Sequence, residues 1–242
     1  MNLAQGQTGM EGAKPARRVP TRIRIMLAAE KLFGDYGIDA VTLRMVCDDA
    51  GQRNKNSVQY HFGDRMGLLQ AIFEYREAQP GPLRTELRGQ GEAQGGLADV
   101  HFLMRILFEP NYRMYRDHGE IAYIKLHAAF LTSHWPRGVT HPVEHDLEIT
   151  RSYRRALDLL RERLYYLGAG RFDLRLPCVG SMFLNGLVQH SMRPPERNLP
   201  LDAFYADLLD MMTQAITALP WPGEIGVHLY PRTFAHCAIV AL

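Results

Sequence analysis

Apolar side chains recur every three or four positions along most of this chain, and that spacing predicts amphipathic helices. The first helix is expected to start with Thr21 as its N-cap and to end at Gly37, because glycine accommodates a left-handed backbone. Its buried face is predicted to carry Ile25, Ala28, Ala29, Leu32 and Phe33.

Two shorter helices are predicted next. Thr42 is a candidate N-cap for a helix of about two turns that closes at Gly51. A polar stretch, residues 52–57, then leads into a third helix that ends near His61 and Phe62. A purely structural role in the core is expected for seven apolar residues of these helices: Ile25, Leu32, Phe33, Leu43, Val46, Val58 and Phe62.

A longer fourth helix is predicted after Gly63 and Asp64, which interrupt the third helix and cap the next. Its apolar positions are Leu68, Leu69, Ile72, Phe73 and Tyr75. Gly67 in its first turn is unfavourable, because glycine costs a helix about 1 kcal/mol relative to alanine. The glycine-rich stretch 89–96 is expected to form a loop or a loose helix junction.

Helical periodicity continues almost to the end of the chain and defines the fold class. The predicted stretches are 97–109, 112–117, 119–133, 143–167, 173–192 and 201–219, separated by prolines and glycines. Alternation typical of strands occurs only between Ile225 and Leu242, a segment that the pattern does not assign. The chain is therefore predicted to be all-α.

The composition of the 242 residues is that of a globular protein, with 46% hydrophobic and 22% charged residues. No apolar run approaches the roughly 20 residues that span a bilayer, so no membrane association is expected. Cys47, Cys178 and Cys237 are far apart and form no C-x-x-C motif, which argues against a disulfide framework or a zinc ribbon. The N-terminal residues lack the apolar segment of a secretory signal, so a cytoplasmic location is expected.

Positive charge is concentrated near the N-terminus. Residues 1–65 hold ten Lys or Arg against seven Asp or Glu, although the formal net charge of the whole chain is only +2. The most closely spaced basic residues are Lys14, Arg17, Arg18, Arg22 and Arg24. This cluster suits contact with phosphates, but a solvated basic tail explains it equally well, so charge alone does not decide the function.

The order of residues in the first four predicted helices is more specific than their amphipathic pattern. The segment TRIRIMLAAEKLFGDYGIDAVTLRMVCDDAG is followed by SVQYHFGDRMGLLQAIF. Residues 21–75 thereby resemble the N-terminal domain of TetR-family transcriptional regulators. In that family a helix with A-A-x-x-L-F-x-x-x-G precedes T-x-x-x-I-A-x-x-A-G and a recognition helix that ends in Y-x-H-F. The resemblance implies a helix-turn-helix.

What the family implies is a homodimeric, ligand-responsive repressor that binds a pseudo-palindromic operator in double-stranded DNA. A small, largely apolar effector is expected to release the DNA, and no enzymatic activity, cofactor or metal is expected. The expected divisions are a flexible arm (1–19), a helix-turn-helix domain (20–66), a helical ligand-binding and dimerisation domain (67–220) and a C-terminal extension of unknown structure (221–242).

The candidate DNA-binding residues fall into three groups. Phosphate contacts are expected from Thr42, Tyr60, His61 and Arg65, a backbone or groove-edge contact from Arg44, and base reading from Lys55, Asn56, Ser57 and Gln59. Each of these side chains could instead be a solvated surface group, and His61 a partly buried structural histidine.

Two departures from the family pattern affect this surface. The turn 52–56 is one residue longer than the usual spacing before the recognition helix, which leaves the register there open. Gln59 replaces the first aromatic residue of the usual L-Y-x-H-F run, and a glutamine that faces a base can pair bidentately with adenine. Cys47 stands where the family has a small residue and is interpreted as an inert core thiol.

Aromatic and methionine residues at helical spacing in the second half of the chain have two interpretations. They are ordinary core, or a subset lines the effector cavity that the resemblance implies. The candidate ligand-binding residues are Met104, Phe108, Tyr123, His127, Phe130 and Phe183, with Tyr123 and His127 as polar anchors. The small residues within Phe172–Met192 make this stretch, with Leu201–Leu219, the candidate dimer interface, although an intrachain core is an equal alternative.

A competing hypothesis is a helical metal-dependent hydrolase. His141, Glu144 and His145 match the H-x-x-E-H string of inverted zinc peptidases. Pro142 favours the first position of a helix and would leave His141 at its cap, and no third ligand follows in a helical context. A third hypothesis keeps the DNA-binding domain without a physiological effector, so that protein concentration or a partner sets DNA occupancy.

Overall fold

The computed structural model describes residues 19–54, 56–119, 121–137 and 147–220. Within these ranges the chain forms ten α-helices and no strand, which confirms the all-α prediction. The helices are α1 (Thr21–Tyr36), α2 (Leu43–Asp49), α3 (Ser57–Phe62), α4 (Arg65–Glu77), α5 (Gly81–Gln94), α6 (Val100–His118), α7 (Ile121–Ser133), α8 (Leu147–Arg163), α9 (Gly168–Met192) and α10 (Leu201–Thr217).

Several expectations concern residues outside these ranges and stay predictions. They are the arm as far as residue 18, the base contact of Lys55, the metal ligands His141, Glu144 and His145, and the extension 221–242. The division between the two domains at residues 66 and 67 also stays a prediction, and α4 runs across it from Arg65 to Glu77.

The helices α1 to α4 enclose one apolar core. Of the seven apolar residues expected to pack there, five are buried, and Leu43 and Phe62 are half-buried against them. The ends of α2 and α4 follow the sequence closely. The hydroxyl of Thr42 accepts a hydrogen bond from the Met45 amide at 3.2 Å, and the Asp64 carboxylate accepts one from the Gly67 amide at 2.8 Å. Both residues are therefore the N-caps that the sequence predicts.

The start of α1 differs from the prediction. Thr21 lies inside the helix, and Pro20 occupies the N-cap position without a side-chain bond. The Pro20 carbonyl already accepts a hydrogen bond from the Arg24 amide at 3.1 Å, so the first turn begins one residue earlier than the threonine suggests. The other end is as predicted, because α1 stops at Gly37, whose φ of +89° suits glycine.

Two predicted interruptions are absent. The stretch around Pro110 was expected to break, but α6 continues through it with the proline buried. Glu109 accepts hydrogen bonds from Arg105 Nε at 2.7 Å and from Arg113 Nε at 2.9 Å. One ion pair precedes the proline and the other spans it, and each adds about 0.2–0.5 kcal/mol to the helix. Burial of the proline against the rest of the fold supports the helix at the position where a backbone hydrogen bond is lost.

The glycine-rich stretch 89–96 is also more ordered than its composition predicts. Helix α5 extends to Gln94, and Gly91 is buried within it. A Cβ at Gly91 would lie 2.5 Å from Phe102 Cε1 on α6, so the missing side chain lets the two helices meet. Packing against α6 therefore overrides the low helix propensity of glycine.

The N-terminal helices are joined to the rest of the molecule mainly through α1 and α7. A Cβ at Gly34 would lie 2.7 Å from the Ala122 carbonyl oxygen, which shows how closely the two backbones approach. Next to this contact, Lys125 Nζ lies 2.8 Å from Asp35 Oδ1. The orientation of the helix-turn-helix region is thus set by a close contact with α7.

Candidate nucleic-acid interface

The turn between α2 and α3 is closed by Asn54. Its side-chain oxygen accepts a hydrogen bond from the Asn56 amide at 2.9 Å, and its carbonyl accepts one from the Ser57 hydroxyl at 2.7 Å. On the other side of the turn, the Gln52 amide donates to the Cys47 carbonyl at 2.8 Å. An asparagine that bonds the amide two residues ahead is a standard turn signal, so the role of Asn54 was visible in the sequence and was missed.

Most of the expected DNA contacts lie together on the outer face of α2 and α3. Thr42 and Arg44 are exposed at the start of α2, and Asn56 and Gln59 are exposed at the start of α3. Tyr60 is the most exposed of the large apolar side chains here, at 84% of its surface. An exposed aromatic ring beside polar residues provides both packing surface and a hydroxyl for a phosphate.

Two expected contacts are placed differently by the structure. Ser57 was expected to read bases, but its side chain is buried and its hydroxyl is bonded to the Asn54 carbonyl. Arg65 was expected to hold a phosphate, but its Nη2 donates to the Val41 carbonyl at 2.9 Å and its Nη1 lies 3.8 Å from Asp39 Oδ1. The guanidinium instead ties the start of α4 to the loop before α2.

His61 is half-buried between its neighbours on α3. Its ring meets Tyr60 edge-on at a centroid distance of 5.0 Å and lies 6.0 Å from the ring of Phe62. On the other side of Phe62, the Arg22 guanidinium of α1 lies 5.0 Å above the ring. In the sequence Arg22 stands out only as a member of the N-terminal basic cluster. In the structure it lies next to the end of α3. Arg53, exposed in the turn, adds a further positive charge.

The six candidate ligand-binding residues are all buried in the helical core. The rings of Tyr123, His127 and Phe130 surround Phe73 at centroid distances of 5.9, 5.2 and 5.1 Å. Phe108 and Phe183 meet at 5.1 Å. These contacts match the alternative interpretation of ordinary core packing.

Two surface grooves lie against α9 and contain none of those six residues. The first, of about 290 Å³, lies between α9 and α10, and its lining includes Met182, Gly186, His190, Phe204, Leu208 and Met211. The second, of about 350 Å³, lies between α1, α7 and α9, and its lining includes Gly34, Lys125, Ala129, Thr132, Val188 and Met192.

A polar cluster is buried where α4, α5, α7 and α8 meet. The Tyr123 hydroxyl donates to Glu77 Oε1 at 2.6 Å. Burial raises the pKa of Glu77 to about 7, although the charge of Arg84 and the bond from Tyr123 act in the opposite direction. The Arg84 guanidinium lies 5.4 Å above the ring of Tyr153, and both side chains are almost completely buried. Ionisable groups are rarely buried in this way, so this cluster is a second candidate for a functional site.

A capped α2, a tight turn and an α3 with an exposed polar face form a helix-turn-helix, the structural class of many DNA-binding domains. Residues 25–72 match the model of the family described as bacterial regulatory proteins, tetR family. This match supports the interpretation of these residues as a DNA-binding helix-turn-helix domain of the tetR type. No curated protein matches the chain.

Two further observations concern only the described residues, which do not include His141, Glu144 and His145. Among the described residues, no three His, Cys, Asp or Glu side chains are grouped so that they could hold a metal ion. The same part of the chain contains no helix with the length and hydropathy that a membrane span requires.

Proposed function

We propose that this protein is a homodimeric, sequence-specific repressor in which each α3 enters the major groove of one operator half-site. The observation that carries the proposal is the position of the exposed Gln59 and Tyr60 on the outer face of α3, within the domain that matches the tetR family. Two such helices must lie about 34–36 Å apart to enter successive major grooves on one face of the duplex.

Within this surface, exposure supports distinct roles for individual side chains. Asn56 and Gln59 project from the start of α3 and are assigned to base reading, with Gln59 suited to adenine. Thr42, Tyr60 and His61 are assigned to phosphates, and Arg44 to the backbone or a groove edge. Arg65 is assigned to positioning, because its guanidinium holds the loop before α2.

The dimer is proposed to form through α9 and α10. Gly186 and Leu208 are in close contact, since a Cβ at Gly186 would lie 3.0 Å from Leu208 Cδ2. Met211 lines the same groove and is 48% exposed, and Met192 at the end of α9 is 74% exposed. A second copy of the same two helices would cover them in a four-helix bundle.

An effector in the helical domain would act by favouring a dimer in which the separation of the two α3 helices no longer fits the duplex. It must bind that dimer more tightly than the DNA-bound form, because equal affinity would shift neither population. The close α1–α7 contact is the route by which a rearrangement of the helical domain would reorient α3.

Binding-site selection tests the DNA-binding function directly. The full-length protein is incubated with random duplexes at about 150 mM salt, a concentration that limits nonspecific attraction to phosphates. We expect a two-fold-symmetric motif. The proposal would be contradicted if no motif were selected and the residual DNA binding disappeared as the salt concentration was raised.

Two variants and one control assign the roles in the same experiment. Gln59→Ala is expected to change the preferred base at one position of each half-site, and His61→Ala to weaken binding about equally for all sequences. Gln90→Ala removes an exposed glutamine of α5 and is expected to change neither property. Unaltered base preference in Gln59→Ala would exclude Gln59 from base reading.

The oligomeric state is tested with a matched pair of methionine substitutions. Met211→Glu places a charge on the proposed interface, whereas Met66→Glu places a charge on α4, away from that interface. The two side chains are similarly exposed, Met211 at 48% and Met66 at 40% of their surface. Sedimentation equilibrium is expected to show a dimer for the wild type and Met66→Glu, and a largely monomeric Met211→Glu. A monomeric wild type, or a dimeric Met211→Glu, would contradict the interface.

A further inference from the structure

Unpaired polar atoms are concentrated where α5 meets α8. Arg84 on α5 and Ser152 and Tyr153 on α8, together called the Arg84 seam, contribute four buried atoms with no hydrogen-bond partner among the described residues: Arg84 Nε, Arg84 Nη2, Ser152 Oγ and Tyr153 Oη. Gly81, one turn before Arg84, faces the same serine, since a Cβ there would lie 3.8 Å from Ser152 Oγ. The unpaired atoms therefore belong to one contact between two helices.

Leaving such atoms unpaired is costly. Each buried polar group without a hydrogen bond destabilises the folded state, and a charged group does so more strongly. Arg84 is only 1% exposed, and its burial lowers the pKa of the guanidinium. Native proteins tolerate few unsatisfied groups, so several within one seam require an explanation.

The acidic residue beside the seam does not satisfy Arg84. The charge of Glu77 stabilises the guanidinium electrostatically, but no hydrogen bond joins the two side chains, and Glu77 Oε1 is held by the Tyr123 hydroxyl. Tyr153 offers Arg84 the face of its ring rather than its oxygen. Nε and Nη2 of the guanidinium thus have no acceptor among the described residues.

We propose that the Arg84 seam binds the carboxylate of a small organic acid, with Arg84 as the anion anchor and the hydroxyls of Tyr153 and Ser152 as further donors. This inference rests on the proposed function and names the chemical class of its effector. The proposed anchor differs from the expected anchors Tyr123 and His127, which lie among packed rings, with the Tyr123 hydroxyl bonded to Glu77.

The charges favour a ligand with one negative charge. A single guanidinium neutralises one carboxylate, and Glu77 nearby disfavours a second. Arginine presents a planar pair of N–H groups that matches a carboxylate, whereas a water molecule would satisfy hydrogen bonds without neutralising the buried charge. A monocarboxylate is therefore a better match than a cation, a neutral polar molecule or a polyanion.

The surroundings favour an apolar body for this acid. Leu87 lies one turn beyond Arg84 on α5, and Leu157 lies one turn beyond Tyr153 on α8, both almost fully buried. Helix α6 packs against both α5 and α8, and its residues Leu103 and Leu107 are fully buried. An aliphatic or aromatic acid would place its carboxylate at the polar seam and its hydrocarbon part among these leucines.

The test is thermal denaturation of the full-length protein with butyrate, octanoate, benzoate and phenylacetate, each compared with its primary amide. The amides have nearly the same shape but carry no charge. We expect at least one carboxylate to raise the Tm in proportion to the logarithm of its concentration, and its amide to have little effect. Stabilisation by none of the four acids, or equal stabilisation by acid and amide, would overturn the proposal.

Substitutions identify the binding residues. Arg84→Met is expected to weaken the carboxylate response at least about tenfold, because a charge-assisted hydrogen bond is lost. Tyr153→Phe removes a hydroxyl that has no partner among the described residues and is expected to weaken the response several-fold without loss of stability. Arg88→Met, one turn further along α5 in an exposed ion pair with Glu92, is the control and should respond like the wild type. A normal response by Arg84→Met would exclude Arg84 as the anchor.

The same preparation separates this inference from the proposed function. Binding to the selected duplex is measured without any acid, so that a protein that binds its operator but no carboxylate refutes only the Arg84 seam. A protein that binds the carboxylate through Arg84 but selects no DNA motif refutes only the proposed repressor.

Discussion

Gly67, in the first turn of α4, is required by the end of the preceding helix. A Cβ at this position would lie 2.1 Å from the Phe62 carbonyl oxygen. Backbone cannot move away as a flexible side chain could, so Gly67→Ala is expected to lower the free energy of unfolding by about 1–3 kcal/mol. Chemical denaturation measures the change.

Gly89 is the matched control for this substitution. It is an exposed glycine inside α5, and none of the described residues lies within 4 Å of the Cβ that alanine would add. Gly89→Ala should therefore stabilise the protein by up to about 1 kcal/mol through helix propensity. Effects of the same sign for the two substitutions would contradict this explanation.

The raised pKa of Glu77 is expected to make the stability of the protein depend on pH. The pKa of Glu77 is about 7 in the folded protein, against 4.5 for a glutamate exposed to water, so folding favours its protonated form. Its contribution to stability is complete below about pH 4.5 and is lost as the pH rises through 7. The loss is on the order of 3 kcal/mol, given 1.36 kcal/mol for each unit of pKa difference.

Glu77→Gln removes this titration while an amide oxygen can still accept the bond from Tyr123. Relative to the wild type, the variant is expected to gain stability between pH 5 and pH 8 in urea denaturation. Glu74→Gln, at a half-buried position one turn earlier that accepts a hydrogen bond from Gln70, is the control and should show no such trend. A constant difference between wild type and Glu77→Gln at all pH values would contradict the assigned protonation.

The contact between α1 and α4 depends on a buried ion pair. Arg76 Nε lies 2.6 Å from Glu30 Oε2 and Nη2 lies 2.8 Å from Glu30 Oε1, with both residues almost fully buried. Removal of one partner leaves a buried charge, so Glu30→Met or Arg76→Met alone should cost about 3–5 kcal/mol of unfolding free energy. Removal of both should cost less than either.

A double-mutant cycle, measured by chemical denaturation, gives the coupling energy. The control is the exposed pair Lys31–Asp49 between α1 and α2, with 3.8 Å between Lys31 Nζ and Asp49 Oδ1. An exposed pair is worth at most about 1 kcal/mol. Additive losses for Glu30 and Arg76 would show that the buried pair does not stabilise the contact of these helices as a unit.

The sequence predicted helices well where local signals dominate and poorly where packing does. Thr42 and Asp64 cap their own helices, so their role is legible from neighbouring residues. Gly91 is tolerated because it meets Phe102 on α6, and Pro110 is buried within α6; one sequence displays neither environment. Local propensity was therefore overruled by tertiary structure at both positions.

The candidate site follows the same division. Gln59 and Tyr60 lie on the exposed face that helical periodicity predicts. Ser57 and Arg65 differ, because their hydrogen bonds depend on the geometry of a turn and of a distant loop. Arg84 attracted no attention in the sequence, since only the three-dimensional structure reveals that its side chain is buried.

The proposed DNA-binding surface and the proposed Arg84 seam are connected through α4 and α7. Helix α4 begins at Arg65, which holds the loop before α2, and ends at Glu77 beside the Arg84 seam. Glu77 is bonded to Tyr123 on α7, and α7 meets α1 at Gly34. A change at the seam is thus linked by direct contacts to both supports of the helix-turn-helix.

The most direct measurement is the affinity of the selected duplex for two tyrosine variants, by fluorescence anisotropy at fixed salt. Tyr60 on α3 and Tyr165 in the helical domain are 84% and 81% exposed, so neither substitution should disturb the core. Tyr60→Ala is expected to weaken DNA binding about tenfold, the value of one lost phosphate hydrogen bond, and Tyr165→Ala to leave it unchanged. Equal affinities for the two variants would contradict DNA binding through α3.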